Sequence, residues 1–213
     1  FKGCIYADDF FCNRSFITYN RCCNTVTPFI IIVRSKKPDG ACVLSDDDIK
    51  DDYVDVVATH DALSRDLLRI GFDGSITEIS QGGMASATGT TADLQIVVES
   101  RLDTHTRSYQ LRRGVKTEHY FDSLAETPNF TSQVHFLQTG ASAVNTAVLF
   151  PRDHVYGSKK LPVMMRPYGG PHGPQVLGGA LTYAHDQWFA DQGFVVIIAD
   201  NRGTGGRGPA WDH

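Results

Sequence analysis

Leu161-Pro162-Val163-Met164-Met165-Arg166-Pro167-Tyr168-Gly169-Gly170-Pro171-His172-Gly173-Pro174 opens as an apolar run and closes in a burst of glycine and proline. That is the composition of a strand running into a tight, stiffened loop, and the loop carries one tyrosine. A second unit of the same kind follows. Phe194-Val195-Val196-Ile197-Ile198-Ala199-Asp200 is apolar, and Asn201-Arg202-Gly203-Thr204-Gly205-Gly206-Arg207-Gly208-Pro209 is its loop. Between the two units, Ala184 to Gln192 reads as a helix, with Gly193 where a C-terminal cap glycine belongs. Strand, helix and strand, with apolar strands, predict a parallel α/β sheet. Upstream, Val134 to Leu137 and Thr146 to Phe150 add two strands, and residues 151–160 form a polar loop.

The middle of the chain has a different texture. From Tyr53 to about Phe130 it reads as short strands: Val54 to Thr59, Leu67 to Phe72, Ser75 to Ser80, Leu94 to Val98, Tyr109 to Arg113 and Lys116 to Phe121. Asp73-Gly74 and Gly114 sit between β-prone runs and signal hairpins. Strands at this spacing suit propeller blades or a sandwich, and the pattern alone leaves both open. Residues 1–45 are rich in Cys, Phe and Asn and match no motif. Asp46-Asp47-Asp48-Ile49-Lys50-Asp51-Asp52 follows, and lacks the central glycine and closing glutamate of a calcium loop. A solvated acidic linker is the expectation there.

Composition narrows the function classes. The 213 residues are 41% hydrophobic and 21% charged, as in globular chains, with room for one large or two small domains. A net charge of −4 gives no reason to expect nucleic acid or an anionic membrane as partner. No apolar run approaches the roughly 20 residues that span a bilayer. Cys4, Cys12, Cys22, Cys23 and Cys42 are odd in number and confined to the first fifth of the chain. They read as buried free thiols in a reducing compartment, so a cytoplasmic location is expected. No C-x2-C or H-x3-H pairing suggests a metal, and no cofactor is expected.

The Leu161–Pro174 stretch and the second unit together resemble the opening of the catalytic domain of serine peptidases of the prolyl-oligopeptidase family, in the dipeptidyl-peptidase IV branch. The resemblance is strongest over 144–212, moderate over 54–143, and fails over 1–45. It implies a mixed fold: all-β propeller blades followed by the N-terminal part of an α/β-hydrolase domain. The implied division is 1–52 unassigned, 53–130 the last blades of a propeller, and 131–213 the start of the peptidase domain. It implies a peptide substrate for the parent enzyme, cleaved through an acyl-enzyme with release of N-terminal dipeptides, and a homodimeric parent.

Residue by residue, Tyr168-Gly169-Gly170-Pro171 is similar to the family's Tyr-Gly-Gly-Pro motif. The resemblance makes Tyr168 a side-chain donor of the oxyanion hole, where one donor is worth about 3–4 kcal/mol. A loop tyrosine packed on proline rings is the plainer alternative. Gly169, Gly170 and Pro171 supply loop geometry around the substrate. Asp200-Asn201-Arg202-Gly203 is similar to the family's Asp-Gly-Arg-Gly turn, with Asn201 in place of the first glycine. Arg202 is read as a structural, loop-anchoring residue.

No G-x-S-x-G occurs, and Ser142 in Gly140-Ala141-Ser142-Ala143-Val144 precedes the strand that a nucleophile should follow. In the family the base histidine lies far downstream, so His172, His185 and His213 are not read as catalytic. The Ser, Asp and His of a triad would all follow residue 213, and the chain by itself is expected to be inactive. Gly203-Thr204-Gly205-Gly206-Arg207-Gly208 satisfies G-x-G-x-x-G after a strand. Asn201 and Arg202 intervene, and Pro209 crowds the place where a helix should open. A nucleotide-binding oxidoreductase is therefore a weaker alternative, beside a non-catalytic binding protein of the same architecture.

Overall fold

A computed structural model describes residues 16–20, 29–33, 42–49, 52–80, 82–89, 94–104, 106–168, 173–207 and 211. Up to residue 49 it is the backbone that is described. Strands β1 (Phe16–Asn20) and β2 (Phe29–Val33) form an antiparallel pair. Two four-stranded antiparallel meanders follow. The first runs β3 (Cys42–Ile49), β4 (Tyr53–Thr59), β5 (Asp66–Gly71), β6 (Ile76–Glu78); the second runs β7 (Met84–Gly89), β8 (Leu94–Ser100), β9 (Ser108–Arg113), β10 (Lys116–Phe121).

Side chains alternate across a strand, and β4 uses both faces. Val54, Val56 and Ala58 pack with Leu68 and Ile70 on one side. Val57 packs on the other with Leu67, Ile79, Ala85 and Val97, which joins the first meander to β7 and β8 of the second. Each large apolar side chain so buried contributes about 1.5–3 kcal/mol. Asp55 points into the same interface. It is fully buried, accepts two hydrogen bonds of 2.8 Å from Arg69 on β5, and takes a third from Gln95 on β8. The Arg69 guanidinium lies 3.6 Å over the Tyr53 ring. At the Asp73-Gly74 turn Gly74 has φ +88°, a conformation open to glycine, and Asp73 Oδ1 accepts the Ser75 N–H.

The third sheet has the order β11 (Val134–Thr139), β12 (Val144–Leu149), β14 (Val195–Ala199), β13 (Val163–Pro167). β12 is antiparallel to both neighbours, and β13 is parallel to β14. A 3-10 turn (Ala180–Tyr183) and helix α1 (Ala184–Asp191) make the crossover, and Gly193 follows at φ +101° with its N–H on Ala190 O. Ala147, Leu149, Val176, Tyr183, Ala190, Val196 and Ile198 form its core, against which Leu63 and Leu102 of the meanders pack. The backbone joins the units too: Gly178 N–H donates to Leu63 O, Ala180 N–H to Arg101 O, and Asn145 Nδ2 to Asp61 O.

Among the described residues the fold is mostly β with one short α-helix. One expectation is corrected. Asp46, Asp47 and Asp48 lie within β3, laddered to β4 with register shifts at Val43/Ser45 and Asp46/Asp48, and are no linker. β3 is the outer strand of its sheet, and charged, bulged strands are what sheet edges carry. β7 adds a strand that the pattern did not predict. Among the described residues no helix is long and apolar enough to cross a membrane, and no His, Cys, Asp and Glu group has metal-ligating geometry. Cys4, Cys12, Cys22 and Cys23 lie outside the described residues, and Cys42 stands in β3.

Candidate active site

Parallel pairing of β13 with β14 sets their carboxyl ends side by side. The ladder closes at Pro167 and Ala199, so Tyr168 and Asp200 are the first residues to leave it. Carboxyl ends of parallel strands are where α/β sheets place their sites. Tyr168 is half-buried. Gly169, Gly170, Pro171 and His172 lie outside the described residues.

From Gln175 every backbone N–H to Gly178 has an acceptor. Asp200 Oδ1 takes the N–H of Gln175 at 2.6 Å and of Val176 at 3.1 Å. Tyr183 Oη accepts from Leu177 N–H at 2.8 Å, and Leu63 O from Gly178 N–H. Asp200 is nearly buried, and its own N–H is held by Asn145 O at 2.9 Å. Burial pushes the Asp200 carboxyl above its ordinary range, against the two backbone N–H groups, which favour the anion. Burial likewise raises the Tyr183 phenol, so Tyr183 stays a neutral hydroxyl.

Below the loop, Arg166 of β13 makes a two-pronged pair with Asp186 of α1, at 2.7 and 3.0 Å, and also reaches Gln175 Oε1 at 3.3 Å. Asp186 is almost fully buried. The pair ties the helix to the strand that presents Tyr168, and to the loop that follows it.

Arg202 stands exposed in the turn after β14. In the same segment Arg207 donates to Ala143 O at 2.9 Å and lies 3.8 Å over the Trp211 ring. Gly206 faces the neighbouring meander: a side chain there would meet Ala62 at 3.3 Å and Thr59 at 3.4 Å. Its smallness serves close packing of protein on protein. His185 sits on α1 edge-on to Phe189, and Ser142 is exposed in the β11–β12 turn. Asp200, Arg166, Asp186 and Tyr183 went unread in the sequence. For Asp200 the signals available were its place at the head of the Asp-Asn-Arg-Gly turn and its position, an acid ending a parallel strand.

With this geometry in place, the chain can be set beside known proteins. Residues 181–213 match the model of the prolyl oligopeptidase family, the S9 peptidases. The chain resembles that family, as its motifs do. The sequence match begins beyond Tyr168, on the turn leading into α1. The fold is similar to that of a dipeptidyl peptidase 4 from Porphyromonas gingivalis, with TM-score 0.71 and 22% identity, over 87% of this chain and 29% of that one. It is also similar to a dipeptidyl aminopeptidase IV homologue from Bacteroides ovatus, with TM-score 0.68 and 20% identity, over 83% and 27%. A prolyl endopeptidase follows with TM-score 0.60 and 20% identity, over 87% and 28%. The chain thus spans less than a third of the length of these structures. No curated protein matches it by sequence.

Proposed function

We propose that this chain is a segment of a serine peptidase of the dipeptidyl-peptidase IV type, with Tyr168 as a donor of its oxyanion hole. In this reading residues 53–130 are propeller blades. Residues 131–213 open an α/β-hydrolase domain. The substrate is a peptide whose N-terminal dipeptide leaves through an acyl-enzyme. The observation that carries the reading is a tyrosine followed by Gly-Gly-Pro at the carboxyl end of a parallel strand. A phenol there can meet a carbonyl oxygen as it gains negative charge, when such a bond is worth most. Downstream of the tyrosine, Gln175 to Gly178 are tied down at four successive N–H groups, which supports a rigid scaffold at this end of the sheet.

The remaining chemistry requires a nucleophile and base that these 213 residues do not supply in a recognisable motif. The experiment compares two polypeptides on a Gly-Pro chromogenic amide. The 213-residue chain alone should show no turnover. The full-length protein should turn it over and be silenced by a serine-directed phosphonate. Phosphonate-sensitive turnover by the 213-residue chain, or none by the full-length protein, refutes the reading.

A further inference from the structure

We infer that Asp200 is a positioning residue for the Tyr168 donor: its carboxylate latches the far limb of the tyrosine's loop onto the end of the adjacent strand. The inference rests on the reading of Tyr168 given above and adds the group that holds it in place.

The geometry is specific. One oxygen, Oδ1, accepts two consecutive backbone N–H groups, from Gln175 and Val176. Consecutive N–H groups converge on one atom only when the chain between them turns toward it. The latch therefore fixes the direction of the limb as well as its distance. Asp200 is itself set by its N–H on Asn145 O, one residue past the last β13–β14 pair. Tyr168 leaves the sheet at the same rung, on β13. Tyr168 and Gln175 are thus each set at this end of the sheet, one by the ladder that closes just before it and the other by Asp200. Gln175 is held a second time, through Oε1, by Arg166, two residues before the tyrosine. The side chain of Asp200 is nearly buried, so water is a poor substitute acceptor once it is removed. A hydroxyl donor that must lie within hydrogen-bond reach of a forming oxyanion loses much of its effect when its loop drifts by an ångström.

The test is a double-mutant cycle in the full-length protein on the same amide. Asp200→Ala should lower kcat about tenfold with KM nearly unchanged. In the Tyr168→Phe background the same substitution should cost less than about twofold, because the group it positions is already gone. Asp200→Asn keeps a carbonyl acceptor and should restore most of the loss. Peptide-level hydrogen exchange should show the 173–178 segment deprotected in Asp200→Ala and protected in Asp200→Asn. Should Asp200→Ala fail to fold, Asp200→Glu, which keeps the charge and displaces the acceptor by one methylene, is put through the same cycle. An equal loss in both backgrounds, or no loss in either, overturns the inference while leaving Tyr168 in place. A Tyr168→Phe protein with unchanged turnover instead overturns the site reading on which it rests.

Discussion

Asp55→Ala should be among the most damaging single substitutions in the chain. Asp55 is 0% exposed and accepts from both Arg69 Nε and Nη2 at 2.8 Å, and from Gln95 Nε2. The Arg69 side chain is only 15% exposed, so its charge has little water to return to. Breaking a buried pair from one side costs about 3–5 kcal/mol, since the other charge stays buried. Two further bonds to Arg69 and Gln95 place the expected cost in the upper half of that range. At about 2–4 °C per kcal/mol for a chain of this size, the melting temperature should fall by roughly 8–20 °C. Arg69→Ala should cost a similar amount. The double variant should then be less unstable than the sum by about 2 kcal/mol, because the two residues lose one interaction between them. Urea unfolding of the four proteins, followed by circular dichroism, measures the cycle. The reasoning fails if Asp55→Ala stays within about 0.5 kcal/mol of the parent protein, or if the single effects simply add.

Tyr168→Phe in the full-length protein should lower kcat by about 100- to 1000-fold with KM little changed, read by steady-state kinetics on a Gly-Pro amide; a change confined to thermal stability would assign Tyr168 to packing. Ala143 and Ala62 both hold left-handed backbone, at φ +49° and +61°. Ala143→Gly should stabilise by about 1 kcal/mol in urea unfolding, and Ala62→Gly by less, because the buried Ala62 methyl also packs. Asp61 is subject to burial, which raises its pKa, but backbone N–H groups of Ser64 and Leu63 and the hydroxyls of Ser64 and Thr59 outweigh it, and it lies below its ordinary 3.8. Its stabilising contribution is therefore complete above 3.8 and is lost as pH falls through the lower folded value. Asp61→Asn should flatten that acid limb in unfolding curves taken from about pH 5 to pH 2. Asp200, raised by burial, acts with the opposite sign: its ionised form costs stability, and protonation relieves that cost.

Much of the fold was legible because period and turn chemistry agreed. The valines of β4 and the Asp73-Gly74 turn predicted a strand and a hairpin that exist. What failed did so for identifiable reasons. β7, Met84-Ala85-Ser86-Ala87-Thr88-Gly89, has only Thr88 with a β preference among mostly small residues, and its ladder with β8 decides its conformation. The aspartates of β3 looked like solvated linker because charge on an outer strand and charge in a loop read alike in sequence. α1 inverts the usual rule: Gln187 is fully buried, bonded to Phe150 O and the Gln133 N–H, whereas Trp188 is 55% exposed. Its cap glycine, Gly193, was the reliable signal. At the candidate site the tyrosine was visible through its motif. Asp200 stood in a motif too, but its role was not legible, because its partners stand 24 and 25 residues upstream and the attraction acts between a side chain and bare backbone.

The limb from Gln175 to Ala180 belongs to neither unit alone. Asp200 and Tyr183 hold it from the third sheet, while Leu63 O and Arg101 O hold it from the two meanders. This bears on how such a protein can be recombined. A chimera that grafts the third sheet onto foreign meanders keeps the tyrosine, its strand and the acid beside it. It loses the carbonyls that meet Gly178 and Ala180, unless the donor offers two of its own at the same heights. Exchange of the two halves between relatives should therefore yield chains that fold as units yet hold this limb loosely, and the crossover points that preserve it lie before residue 59 or after residue 200.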